Sequence, residues 1–363
     1  MQKSLIARLP GILRSGRRLA ERLQACPPQW ELTGHPWALP GLAPQPGQAQ
    51  TAGRLIQGDN LHAMAVLLAG TAGQSSLRGQ IDLIYIDPPF QTGQTWRKRT
   101  CSSQMSPCPS AGEDLGFADA WRDGSAEHLA MLVPRLWLMH ALLAEQGSLY
   151  VHLDWHAVHG VKLVLDEMFG PGGFRREIVW DHGNPSGGKA AARNWVHGHD
   201  TLLYYAKGDR PYFNRLHHPY TDTYIAQRFT QDDGDGRGPY RWQGSGVARR
   251  RQYLQDLRGT LVGSVWRMPR INVRAHERTG YPTQKPEALI AQIVRASCPP
   301  GGVVADFFAG SGTTAAVAEG LGLRWLAVEQ SPSACTLTRQ RLMALPARPF
   351  VHEVLEPVPR AIG

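Results

Sequence analysis

The sequence predicts an α/β fold built on a seven-stranded, mostly parallel sheet with an antiparallel edge strand. Three observations carry this reading. Short apolar or β-branched runs alternate with longer helical patterns, nearly every such run ends on an acidic residue, and two of those ends open into turns of unusual composition, at residues 87–90 and 306–314.

Strands are expected at Arg54–Gln57, Ile81–Ile86, Ser148–Leu153, Val303–Phe307 and Arg324–Val328. Glu177–Trp180 and Thr201–Ala206 have no helix between them and complete the seven as the antiparallel edge. Helices are expected at Leu61–Leu68, His128–Ala144, Ala157–Met168, Pro286–Ala296, Thr313–Leu321 and Pro332–Leu342. The second places Leu129, Leu132, Val133 and Leu136 on one face, and Pro286 suits a first helical turn.

The acidic strand ends are Asp59, Asp87, Asp154, Asp306 and Glu329. Any one of them could simply cap a helix or start a turn. In an open α/β sheet, however, ligands bind beyond the carboxyl ends of the strands, so all five should meet on one rim.

Composition narrows the class. With 363 residues, 42% of them hydrophobic, the chain can bury a large core and carry a smaller second region. The net charge of +9 exceeds what solubility needs and tilts the reading toward a polyanionic partner such as nucleic acid. Cys26, Cys101, Cys108, Cys298 and Cys335 are odd in number and lack paired spacing, which argues against structural zinc and disulfides and for a reducing cytoplasm. No metal is expected. No apolar run is long enough for a bilayer, and the first ten residues lack a secretory core. The basic stretch Lys3–Arg22 reads as a solvated amphipathic helix rather than a transit peptide.

The organisation expected is a basic helix and Pro/Gly linker at 1–53, a first half-domain at 54–206 with a loop insertion at 91–125, a basic and aromatic region at 207–270, a second half-domain at 271–345 and a tail at 346–363. The loop after Phe90 is long enough to act as a lid or ligand clamp. In the 207–270 region Arg241, Trp242, Arg249, Arg250 and Arg251 join cations to an aromatic face, the pairing that neutralises phosphates and stacks on unstacked bases; a solvated basic face over a small core is the plainer alternative.

Two turns carry the chemistry. In Asp87-Pro88-Pro89-Phe90 the prolines fix the backbone and remove two N–H donors, leaving a carboxylate and carbonyls as acceptors for a substrate amino group, with Phe90 placed to stack on its ring. In Asp306-Phe307-Phe308-Ala309-Gly310-Ser311-Gly312-Thr313-Thr314 the glycines let backbone approach a ligand, and the following helix offers free N–H groups. Nicotinamide and flavin enzymes use comparable turns, but Glu329, ending the next strand, can accept from two ribose hydroxyls. Tyr281-Pro282-Thr283-Gln284-Lys285-Pro286 enters a helix; on spacing alone it is a helix-entry turn with an exposed lysine, though Thr283 and Lys285 could contact the amino-acid end of a cofactor or orient the neighbouring loop.

Together these three segments, in this order, resemble the β-class amino-methyltransferases of DNA, the N(6)-adenine and N(4)-cytosine family that includes type III modification subunits. The likeness extends to Gln57–Asn60, Gly147–Asp154, Glu177–Trp180 and His199–Tyr205. It implies a Rossmann-like, S-adenosylmethionine-dependent fold, circularly ordered with the catalytic half before the cofactor half. Catalysis is then expected from Asp87, Pro88, Pro89 and Phe90. Cofactor contacts are expected from Asp306, Phe308, Gly310, Ser311, Gly312, Thr313 and Glu329, and secondarily from Asp59, Thr283 and Lys285. Phe307 stands where the family usually has Pro, and Tyr281 where His is common.

The resemblance implies site-specific methylation of adenine in double-stranded DNA by base flipping, Asp being typical of adenine enzymes where cytosine N(4) enzymes more often carry Ser. Cytosine N(4)-methylation is the alternative, and a catalytically inactive DNA-binding or regulatory homologue is the alternative of another class. RNA and protein amino-methyltransferases use a similar turn but usually place the cofactor motif first. A homodimer, a restriction endonuclease partner and a bacterial or phage-encoded, cytoplasmic, nucleoid-associated location are further expectations.

Overall fold

The structure is a computed structural model in which residues 4–26, 30–37, 53–71, 73–90, 121, 124–183, 193–346 and 348–358 are described. In chain order the elements of the larger unit begin with α1 (Leu5–Ala25), β1 (Trp30–Trp37), β2 (Gly53–Gln57), α2 (Asn60–Ala69) and β3 (Ile81–Ile86). They continue with α3 (Ser125–Leu142), β4 (Leu143–Leu153), α4 (Val158–Phe169), β5 (Phe174–Asp181) and β6 (His199–Ala206). Between Asn214 and Ser264 a separate compact unit holds β7 (His217–His218), α5 (Asp222–Arg228), β8 (Tyr240–Gln243), β9 (Arg250–Tyr253) and β10 (Thr260–Leu261). The larger unit then resumes with β11 (Val265–Arg267), α6 (Glu287–Ser297), β12 (Val303–Asp306), α7 (Thr313–Gly320), β13 (Arg324–Glu329), α8 (Pro332–Met343) and β14 (Phe350–Pro357).

All seven expected strands form, at the centre of a ten-stranded sheet ordered β1-β14-β2-β13-β12-β3-β4-β6-β5-β11. Strands β14, β2, β13, β12, β3 and β4 run parallel, which fits their near-continuous apolar character. β6 is antiparallel to both neighbours, so the reversed strand lies inside the sheet rather than at its edge. β5, reversed again, is parallel to the three-residue β11.

The other three strands of this sheet lie outside the seven expected. β1 falls in the stretch expected as linker and β14 in the stretch expected as tail; they pair antiparallel along their whole length, and β14 runs parallel to β2. Phe350 and Leu355 are buried there, five positions apart and so on opposite faces of a strand whose mixed composition reads as tail. β11 lies within the expected 207–270 region yet joins the large sheet, so the compact unit is the narrower 214–264.

Residue chemistry explains the helices. α2 is apolar on all sides and buried from Ala63 to Leu68, and it is capped by Asp59, whose carboxylate accepts from the Leu61 N–H at 2.9 Å. α4 buries Val158, Val161, Val164, Leu165 and Met168, the spacing of one helical face. α3 ends at Leu142, two residues before its expected end, because the chain turns directly into the long strand β4. α1 is amphipathic as expected but not merely solvated: Gly16 and Ala20 are buried and the helix lies on α3. Among the described residues no helix is long and apolar enough to cross a membrane.

Candidate active site

The parallel strands point their carboxyl ends to one edge, and the five acidic residues predicted to meet there do so. Asp59, Asp87, Asp154, Asp306 and Glu329 all line a single cavity of about 610 Å³. β6 runs the other way, so it contributes its first residues to the same rim, and Asp200 joins them. The turn Asp87 to Phe90 lines the cavity, as do Asp306, Phe308, Gly310, Ser311 and Thr313, with Thr283 and Lys285 completing the predicted set. Gly312 does not line it; it backs the turn.

At the first turn the Lys285 ammonium is paired with Asp87 Oδ2. Asp87 Oδ1 is buried and has no hydrogen-bond partner among the described residues, a free acceptor beside the cavity. Such an atom is costly to leave unpaired unless a ligand is to fill it. His128 Nε2 lies 2.7 Å from the Pro89 carbonyl and anchors the turn from α3. The Phe90 ring is 5.9 Å from that of His152 and 5.0 Å from Lys285 Nζ.

The second turn is held by backbone. Glu329 accepts from the Gly310 N–H at 2.8 Å through one oxygen and from the Ser331 N–H at 2.8 Å through the other. Asp306 accepts from the Phe308 N–H at 2.9 Å and from the Thr314 hydroxyl at 2.6 Å. Burial raises the Asp306 carboxyl to about 7 against the pull of these two bonds, with the Asp87 and Glu329 charges adding to the rise. Burial likewise raises the Glu329 carboxyl. Gly310 and Gly312 have φ of 51° and 71°, in the left-handed region. A Cβ on Gly312 would stand 2.4 Å from Thr338 Cγ2, so only glycine fits; one on Gly310 would stand 3.1 Å from the Tyr281 ring. A buried and a half-buried carboxylate, a glycine turn and the start of α7 make a cradle suited to a cationic nucleoside cofactor. Phe307 is buried in the core, and its carbonyl accepts from Asn60 Nδ2 at 2.7 Å.

Asp59, at the edge of the cavity, also holds the surrounding structure. Besides capping α2, it pairs with Arg135 at 3.0 Å, and Arg135 also bonds Asn60 at 2.5 Å, which ties α3 to the start of α2. That is the capping role any acidic strand end can play.

Sequence reasoning missed Arg135, His128 and a cluster around Asp200. Asp200 Oδ2 lies 3.3 Å from His152 Nε2, and its Oδ1 lies 3.4 Å from both His182 and His197. Burial works to raise this carboxyl, but the hydrogen bonds from His152 and His182 outweigh it and hold it far below the usual carboxylate range. Burial keeps His152 neutral, with the Lys285 charge acting in the same direction. The Tyr85 hydroxyl, 2.9 Å from His152 Nδ1, has its pKa pushed well up by burial and stays protonated, so it donates to Nδ1 while the Nε2–H faces Asp200. His199-Asp200 was part of the family likeness, but nothing local marked Asp200 as a rim residue.

In the compact 214–264 unit the residues predicted to contact DNA differ in their partners. Arg241 bonds the Tyr224 hydroxyl at 2.6 Å and Gln252 at 2.7 Å and lies over Phe229 at 5.0 Å. Arg251 is paired with Asp233 at 2.6 Å. Trp242, 41% exposed, carries the Arg249 guanidinium at 4.5 Å, and Arg250 is exposed beside it on the β8–β9 hairpin. Of the expected clamp loop, residues 91–125, only 121, 124 and 125 are among the described residues.

Comparisons agree with this geometry. A family model described as DNA methylase matches residues 81–340. The type II methyltransferase M.EcaI of Enterobacter cloacae is 25% identical, over 71% of this chain and 64% of its own, so this chain spans just under two thirds of that relative. The DNA adenine methyltransferase YhdJ of Escherichia coli (strain K12) is 27% identical over 69% of this chain and 71% of its own. Among solved structures, the cytosine-N4-specific PvuII DNA methyltransferase matches with a TM-score of 0.50 at 15% identity, covering 82% of this chain and 89% of that one, a likeness of fold. With the family's span covering both turns and the cavity between them, the chain belongs to the DNA methylase family.

Proposed function

We propose that this chain transfers a methyl group from S-adenosylmethionine to the exocyclic amino nitrogen of an adenine flipped out of duplex DNA. The observation that carries the reading is the unpartnered, buried Asp87 Oδ1 at the edge of a cavity shared with the glycine turn. When bound, S-adenosylmethionine supplies an electrophilic methyl group on a sulfonium, which leaves as a neutral thioether. Asp87 Oδ1 and the Pro88 carbonyl each take one amino hydrogen, drawing the nitrogen lone pair out of the ring and toward the methyl carbon. The C–N bond forms as the C–S pair stays with sulfur, and the positive charge that develops on nitrogen is met by the carboxylate and then lost as a proton to solvent. Phe90 stacks on the extruded base, offsetting part of the few kcal/mol that extrusion costs (about 2–4).

Asp306, Phe308, Gly310, Ser311, Thr313 and Glu329 are assigned to the cofactor, with Glu329 facing the ribose. Adenine is preferred over cytosine because a curated relative is named an adenine enzyme. Trp242, Arg249 and Arg250 are assigned to DNA contact, since they are exposed, whereas Arg251, equally exposed, is paired with Asp233. Pairing with a second copy, or with a restriction endonuclease, extends the same reading. Nucleoside mass spectrometry of DNA incubated with the protein and S-adenosylmethionine tests it: N(6)-methyladenine supports the reading, N(4)-methylcytosine moves it to the other base, and unmethylated DNA with intact cofactor binding points to a regulatory homologue.

A further inference from the structure

Lys285, in the 281–286 turn, reaches the first turn with its side chain. The Lys285 side chain is 11% exposed and its ammonium is paired with Asp87 Oδ2, while the same cation lies over the Phe90 ring. Its backbone faces the other way: the Lys285 carbonyl accepts from the Thr313 hydroxyl at 3.5 Å, at the start of α7. One residue therefore touches both turns, with its charge committed to the first.

The segment that carries Lys285 is braced. Gln284 Oε1 accepts from the Thr279 N–H and hydroxyl, both at 2.8 Å, and Glu277 accepts the Glu287 N–H at 2.7 Å. Arg341 spans Glu287 at 2.6 Å and Thr313 at 2.9 Å. A lysine is flexible by itself, so fixing its backbone from both sides is what gives its ammonium a defined place.

A carboxylate has two equivalent oxygens and can present either to a substrate. Holding Oδ2 leaves Oδ1 as the acceptor for the amino group and stops rotation of the carboxylate. The cation on Phe90 ties the stacking ring to the same anchor. A nearby positive charge also opposes the charge that develops on the amino nitrogen, so an ammonium here is tolerable only because it sits on the far oxygen of the carboxylate that meets that charge.

We infer that Lys285 is a positioning residue for methyl transfer, acting through Asp87 and Phe90, and not a ligand of the cofactor. This rests on the amino-methyltransferase reading above. It is tested with Lys285→Met, which keeps length and removes charge, and with Lys285→Arg, which keeps charge.

Calorimetric titration with S-adenosylmethionine, single-turnover methylation at saturating cofactor and thermal melts are measured on each variant and on the parent. For Lys285→Met the expected outcome is a cofactor Kd within about threefold of the parent and a single-turnover rate lower by about a hundredfold, with Lys285→Arg recovering to within about tenfold. A cofactor ligand gives a different pattern, with Kd weakening by the same factor as the rate, and that result overturns the assignment. So does an unchanged rate. If Lys285→Met does not fold, Lys285→Gln carries the same comparison. A parent that methylates DNA while Asp87→Asn is dead and Lys285→Met is not slowed sinks the Lys285 role alone; a parent with no methylation sinks the functional reading and this role with it.

Discussion

The two sides of the catalytic rim hold their carboxylates by different means. Under β12 and β13, Asp306 and Glu329 are held by backbone N–H groups and one threonine hydroxyl, partners that do not titrate. Beyond β3, Asp87 is held by Lys285, Asp154 by His156 at 2.7 Å and Asp200 by histidines. The first side is a fixed cradle whose own burial shifts its acid. The second is a charged network in which each side chain sets the state of the next, so substitutions there should spread while those in the cradle stay local.

The sharpest way to break this contrast is Asp87→Ala. It removes the acceptor and leaves the hydrogen bonds of the cradle in place, so methylation should fall at least about a thousandfold while the cofactor Kd stays within a few-fold. Filter-binding and isothermal titration would check both halves, and retained turnover refutes the role given to Asp87. Glu329→Ala should reverse the pattern. It strands the Gly310 N–H and removes the ribose acceptor, weakening cofactor binding by about ten- to a hundredfold at an estimated loss of about 1–3 kcal/mol.

Asp200→Asn probes the charged side through stability. The Asp200 carboxyl lies below its unfolded value, so its contribution is fully present above about pH 4 and fades only as pH falls lower. The variant should lose about 1–3 kcal/mol at pH 7, measured by denaturant melts, with the gap to the parent closing toward pH 3. A gap of equal size at both pH values means that the carboxylate charge is not what stabilises the cluster.

Asp306 offers a gentler test of the cradle. Its carboxyl titrates near 7, and a cationic cofactor favours the ionised form, so binding releases a proton. Affinity should therefore rise by up to about tenfold per pH unit below 7 and level off above it. Titrations at pH 6, 7 and 8 would read this directly; a flat profile removes Asp306 from the cofactor's surroundings. Smallest of all, Arg250→Ala should lower the slope of log K against log salt for DNA by about one, with little change between sequences.

Much of the site was legible because it is local. Asp87-Pro88-Pro89-Phe90 and the 306–314 turn each combine a strand, a turn and the start of a helix, and their residues act close to where they stand in the chain. Asp59 shows the limit of that approach: its cap on α2 is local, but its partner Arg135 is 76 positions away. The strand count fell short for a similar reason. β1 and β14 are mixed in composition, and their strand pairings, with each other and of β14 with β2, are made to segments far away in the chain.

The amino-acid sequence by itself settled the parallel core, the two chemically loaded turns and the acidic strand ends, since helical period, turn chemistry and strand propensity depend on near neighbours. Tertiary structure alone decided that β6 runs backward inside the sheet, bringing Asp200 to the rim from the start of a strand instead of its end. It alone turned Lys285 toward Asp87, across 198 positions of chain. Both are matters of which distant groups share a small volume, and no local pattern encodes that.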